Sequence, residues 1–84
     1  MNESYITFRS VTYAQRGEIL LKRTGVACML QRTPKVLAEK GCGYSLRIQT
    51  RDAMAAVTIL REHFVSFGKL YAILPDGKTE EQQV

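Results

Sequence analysis

The chain has 84 residues, 45% hydrophobic and 24% charged, with a formal net charge of +4. That profile fits one small globular domain and excludes a disordered chain. No apolar run approaches the roughly 18 residues of a membrane span, and two cysteines with a single histidine cannot close a structural zinc site.

The opening MNESYITF has an acidic residue and no basic region before a long apolar block, so it does not read as a secretory signal. Cytoplasm is the expected compartment, and its reducing conditions disfavour a Cys28–Cys42 disulfide. The positive balance suits an acidic partner or nucleic acid, and equally well solubility alone.

In chain order, Tyr5 to Ser10 is a β-branched and aromatic run with alternation, predicted as the first strand. Thr12 with Gln15 fits a capping box at the start of a helix, with Ser10 as a competing cap. Ala14, Gly17 and Leu21 share one helical stripe, and Gly25 follows Lys22 and Arg23 as a stop. Val26 to Arg32 is the second strand, ended by Thr33-Pro34. Gly43 to Gln49 alternates as the third, with Tyr44, Leu46 and Ile48 on one side and Ser45, Arg47 and Gln49 on the other. A second helix opens at Thr50 or Asp52. Ala53, Ala56, Val57, Leu60, Phe64 and Phe67 recur at helical spacing before Gly68. Lys69 to Leu74 is the fourth strand.

These elements compose one domain over residues 1–75, and residues 76–84 read as a polar, mobile tail. The order β-α-β-β-α-β predicts an α+β, ferredoxin-like fold, a four-stranded antiparallel sheet with both helices on one face.

That topology bears on Cys42, which glycine flanks on both sides at positions 41 and 43. The end of strand one, the start of helix one, the end of strand two and the start of strand three all meet at one edge. Cys42 belongs to that edge, with Arg9, Arg32, Lys35 and Lys40 from neighbouring segments. A helix N-terminus and cations lower a thiol pKa, and bare backbone at Gly41 and Gly43 admits a close approach. The blander reading is a small buried residue beside a tight turn, since Cys42 shares parity with Tyr44, Leu46 and Ile48. Cys28, in mid-strand, reads as core. His63 reads as a last-turn histidine interacting with the helix dipole rather than as a base for Cys42.

The same residues resemble the Putative Se/S carrier protein-like family, a group of small prokaryotic proteins. The resemblance rests on Phe8 and Ser10, Gly25-Val26, Pro34, and the signature Cys42-Gly43-Tyr44-Ser45-Leu46-Arg47. Tyr44 is bulkier than the residue that pattern leads one to expect. The resemblance implies a carrier rather than a turnover enzyme, with no cofactor and no metal. Cys42 would take sulfur or selenium as a persulfide or selenopersulfide from a cysteine desulfurase-like donor and pass it to an acceptor protein. Gly41, Gly43, Arg9, Ser10, Arg32, Pro34, Lys35, Lys40 and Arg47 would support it.

Two other functions compete. Residues 40–48 echo the strand-three signature of RNA-recognition domains. Parity opposes that reading, because it would bury Ser45 and Arg47 and leave Leu46 and Ile48 in water. The alternative is a non-catalytic interaction or assembly module, whose open sheet face of Tyr5, Thr7, Ser45, Arg47 and Gln49 suits a modest homodimer.

Overall fold

The computed structural model describes residues 3–35, 37 and 43–84. Strand β1 (Glu3–Phe8) leads into helix α1 (Val11–Arg23), then β2 (Cys28–Arg32) and β3 (Tyr44–Gln49). A 3-10 turn, Thr50–Asp52, opens helix α2 (Ala53–Glu62), which is followed by β4 (Leu70–Ile73) and β5 (Thr79–Gln82). The fold is α+β, with an antiparallel sheet in the order β2-β3-β1-β4-β5.

Strand parity builds the core. Ile6 pairs with Leu46 and with Leu70, and Ser4 pairs with Ile48. These side chains share one face, where they cluster with Ala14 and Leu21 of α1 and Ala56, Val57 and Leu60 of α2. Gly17 sets how closely α1 approaches. A Cβ there would lie 3.2 Å from Leu46 Cδ1 and 3.3 Å from both Leu60 Cδ2 and Phe8 Cζ. Glycine in mid-helix costs about 1 kcal/mol relative to alanine, and here it makes room for three core side chains. Ser10, not Thr12, caps α1: its Oγ accepts the Thr12 N–H at 3.2 Å.

The expected four-stranded sheet is five-stranded. Residues 76–84, read from sequence as a polar tail, instead turn at Asp76-Gly77 and return as β5, pairing Thr79 with Ile73 and Gln82 with Leu70. Asp76 Oδ1 accepts the Lys78 N–H at 3.0 Å and holds the turn. A strand reading Thr-Glu-Glu-Gln has no apolar alternation, since it sits at the sheet edge and buries little. Strand β2 also starts later than expected, at Cys28 rather than Val26.

Helix α2 is shorter than its periodicity suggests, ending at Glu62 rather than continuing to Phe67. The stop is backbone chemistry. Phe64 N–H donates to the Arg61 carbonyl at 3.2 Å and Val65 N–H to the Leu60 carbonyl at 2.9 Å. This is a Schellman motif, with Val65 buried as its apolar contact. Helix α1 ends the same way, from Gly25 to Lys22 and from Val26 to Leu21. The two differ at one position. The left-handed residue is Gly25 in α1 (φ +86°) and Phe64 in α2 (φ +57°). Phe64, expected on the buried stripe, is 90% exposed.

A bulky residue in the left-handed region costs about 1–2 kcal/mol, and Phe64, left 90% exposed, buries too little surface to offset it. Phe64→Gly is therefore expected to stabilise the fold by about 1 kcal/mol. In a domain of this size that raises the thermal midpoint by about 4–8 °C, measurable by circular dichroism. A lowered midpoint would show that the phenyl ring contributes to the core.

Candidate functional site

The edge expected from topology is assembled among the described residues. Phe8, the last residue of β1, pairs with Tyr44, the first of β3, and Tyr44 pairs on its other side with Arg32, the last of β2. Arg9 and Ser10 follow directly in sequence. Ser10 occupies the N-cap of α1, so the unpaired N–H groups of that helix open at the same edge. Thr33 N–H donates to the Gly43 carbonyl at 3.1 Å, which extends the β2–β3 pairing one step beyond the strands. The Arg32 guanidinium stands 5.7 Å from the centre of the Tyr44 ring, a cation–π contact that holds a positive charge at the mouth of β3.

Lys40, Gly41 and Cys42 lie outside the described residues, so the expectations placed on them carry no structural statement. Gly43 is described, and it is exposed. A Cβ added there would meet nothing within 4 Å among the described residues, and its φ is not in the left-handed region. Among the described residues, neither a packed neighbour nor a left-handed φ requires glycine at this position.

The other expected supporters divide. Lys35 is exposed and Pro34 half-buried, its carbonyl accepting the Leu37 N–H at 2.8 Å. Arg47 is elsewhere. It sits three residues further along β3 on the opposite face from Tyr44, paired with Glu3 at 3.5 Å and donating to Met29 Sδ at 3.5 Å. His63 donates from Nδ1 to the Ile59 carbonyl of its own helix at 3.0 Å, as expected of a last-turn histidine.

Cys28 is poised against reaction. Burial pushes its thiol pKa up, the Glu18 carboxylate pushes it further, and Lys22 offsets only part of this. Its Sγ donates to the Glu18 carbonyl at 3.8 Å. The thiolate is the nucleophile, so Cys28 should alkylate more slowly than a free thiol at neutral pH and accelerate only in alkaline solution. The sign carries over to stability. A pKa raised by folding favours the folded state while the thiol is protonated, and that contribution is lost as pH rises through the raised value. Iodoacetamide labelling read by peptide mass across neutral to alkaline pH checks both; fast labelling of Cys28 at neutral pH would refute the assignment.

A cavity of about 620 Å³ adjoins Arg9 and Ser10, with Thr7, Tyr13, Leu37, Phe67, Lys69 and Tyr71 also in its wall. These side chains come from well-separated stretches of chain, so no local motif announces them. Thr7 and Ser45, expected on an open sheet face, are both buried at this end, where Leu37 returns to share the cavity with Thr7. The hydroxyls of Ser45 and Thr33 are buried with no hydrogen-bond partner among the described residues. Leu46 and Ile48 are in the core, in keeping with the parity that separates β3 from an RNA-binding signature.

A family model described as Putative Se/S carrier protein-like matches residues 3–72. The chain belongs to that family. No curated protein and no solved structure matches it. The match to the Se/S carrier-like family spans all of β1 to β3 and both helices, and ends within β4. It covers Cys42-Gly43 and every expected supporting residue. Strand β5 lies beyond it. No helix among the described residues is long and apolar enough to cross a membrane.

Proposed function

We propose that this Se/S carrier-like chain holds sulfur or selenium on Cys42 as a persulfide or selenopersulfide and hands it to an acceptor protein. The observation that carries the reading is the family match across Cys42-Gly43. Its physical support is the exposed Gly43 and the charge of Arg32 and Arg9 around the start of β3. In the ferredoxin-like arrangement we read here, strands β2-β3-β1-β4 form the common sheet and β5 is an addition at its edge. That order is what places the β3 start beside the α1 N-terminus.

The Cys42 thiolate attacks the terminal sulfur of a donor persulfide, R–S–S–H. A bond forms between Cys42 Sγ and that sulfur while the donor's S–S bond breaks, and the donor departs as thiolate. No external oxidant or reductant is consumed. The product Cys42–S–S⁻ is an anion, and Arg9, Arg32, Lys35 and Lys40 supply positive charge for it. The acceptor's thiolate then attacks in turn. Such a carrier needs a free, reduced cysteine, which agrees with a cytoplasmic setting.

The test is the intact mass of the purified protein after incubation with a cysteine desulfurase and cysteine. A gain of one sulfur that dithiothreitol removes is expected; no adduct, together with slow alkylation of Cys42 at neutral pH, would sink the proposal.

A further inference from the structure

Phe64 breaks a local rule that the rest of the chain keeps. Two helices end in the same hydrogen-bonded motif, and only one has glycine at the left-handed position. The other exposes 90% of a phenylalanine there. Strained backbone carrying an exposed aromatic is a functional signal when no packing accounts for it. The two hydrogen bonds that close the motif also fix the backbone from which the ring projects, so the ring is a preorganised anchor rather than a loose one.

The ring borders a shallow groove of about 470 Å³, lined by Arg61, Val65, Ser66, Phe67, Gly68 and Val84 along with Phe64 itself. Ser66, Phe67 and Gly68 also line the cavity that holds Arg9 and Ser10, so the two depressions adjoin the same segment. The segment is tied to the site edge through the backbone: Gly68 N–H donates to the Thr7 carbonyl at 2.6 Å, and Thr7 N–H to the Lys69 carbonyl at 2.9 Å. Thr7 immediately precedes Phe8, the partner of Tyr44. Phe64 therefore stands on the same end of the molecule as the start of β3.

Charge selects the occupant. Among the described residues, the ionisable side chains lining the two depressions are Arg61, Arg9 and Lys69, with two tyrosines and no Asp or Glu. Lys69 is engaged by Glu81 at 3.4 Å, which leaves the two arginines to define the rim. A second copy of this chain would bring the same cations to the contact and be repelled. We infer that the α2–β4 connection, with Phe64 as its anchor, docks the sulfur-donor protein through an apolar pocket on that protein rimmed by carboxylates. The docking holds the donor at the end of the sheet where β3 starts. A small-molecule persulfide has no use for an anchor outside the cavity, so the two kinds of donor are distinguishable.

This inference rests on the carrier reading, and its test separates the two. Wild type, Phe64→Gly and Phe64→Asn are loaded either by a cysteine desulfurase charged with cysteine or by glutathione persulfide, and sulfur on Cys42 is followed by mass. Glycine and asparagine both suit the left-handed position, so the variants keep the fold. Loading by the desulfurase should slow about tenfold in both variants, while loading by glutathione persulfide stays at the wild-type rate. Unchanged loading by the desulfurase overturns the docking inference and leaves the carrier reading standing. Equal slowing with both donors also overturns it, by assigning Phe64 to the chemistry of Cys42. No loading of wild type by either donor defeats the carrier reading, and the inference falls with it.

Discussion

Serine at position 42 is expected to abolish sulfur loading, whereas serine at position 28 is expected to leave it at the wild-type rate. The contrast follows from two thiols in different electrostatic settings. Cys28 is half-buried beside Glu18, which with desolvation keeps it protonated at neutral pH. Cys42 is preceded and followed by glycine, and the next residue, Gly43, lies open beside an edge that carries Arg9 and Arg32. A serine hydroxyl at 42 can neither ionise at neutral pH nor accept a sulfur atom into a stable S–S bond. Serine at 28 keeps an acceptor in reach, the Glu18 carbonyl, so its structural cost stays small. Intact mass of the two variants after desulfurase treatment decides between them. Loading that survives Cys42→Ser, or disappears with Cys28→Ser, would move the carrier site or remove it.

Phe8→Ala should cost about 3–5 kcal/mol, the largest stability effect expected of any single residue here. Phe8 is fully buried, its ring faces the gap that Gly17 leaves in α1, and its backbone is the register partner of Tyr44. Truncation opens a cavity where β1, α1 and α2 meet, and Gly17 has no side chain with which to fill it. Domains in this size range are stable by only about 5–15 kcal/mol, so about a fifth or more of the total is at stake. Urea denaturation followed by circular dichroism should show a much lower midpoint with an unchanged slope. A loss under about 1 kcal/mol would mean that the neighbours collapse into the space. Because Phe8 also sets the register at the site edge, sulfur loading should weaken in parallel with stability.

The parts legible in the sequence are those where one local rule decided the outcome. The alternation of Tyr44, Leu46 and Ile48 against Ser45 and Arg47 placed β3 and its core face. Gly25 after Lys22 and Arg23 marked the end of α1. Where two rules competed, reading the chain locally chose the wrong one. Phe64 and Phe67 continue the helical spacing of Ala53, Ala56, Val57 and Leu60, yet the helix ends at Glu62 because Val65 rather than Phe64 supplies the buried contact of the closing motif. Strand β5 was hidden because an edge strand with one neighbour needs backbone hydrogen bonds more than apolar side chains.

The candidate site divides in the same way. Arg9, Ser10 and Arg32 could be assigned to one edge from element order alone, since antiparallel pairing brings the ends of β1 and β2 to the start of β3 whatever the side chains are. Arg47 was grouped with them by the family signature that runs from Cys42 to Arg47. Alternation puts it on the face opposite Tyr44, as the sequence reading had it, and there it pairs with the Glu3 carboxylate. The cavity beside Arg9 and the exposed ring of Phe64 had no sequence signal, because each depends on distant segments converging or on one backbone angle. The sequence by itself determined that this is a small α+β domain with one unusual cysteine, since periodicity and glycine placement are local properties of the chain. Only the tertiary structure decided that Gly43 meets no packed neighbour among the described residues and that Phe64 stands beside the same edge, since both depend on what the rest of the chain brings near them.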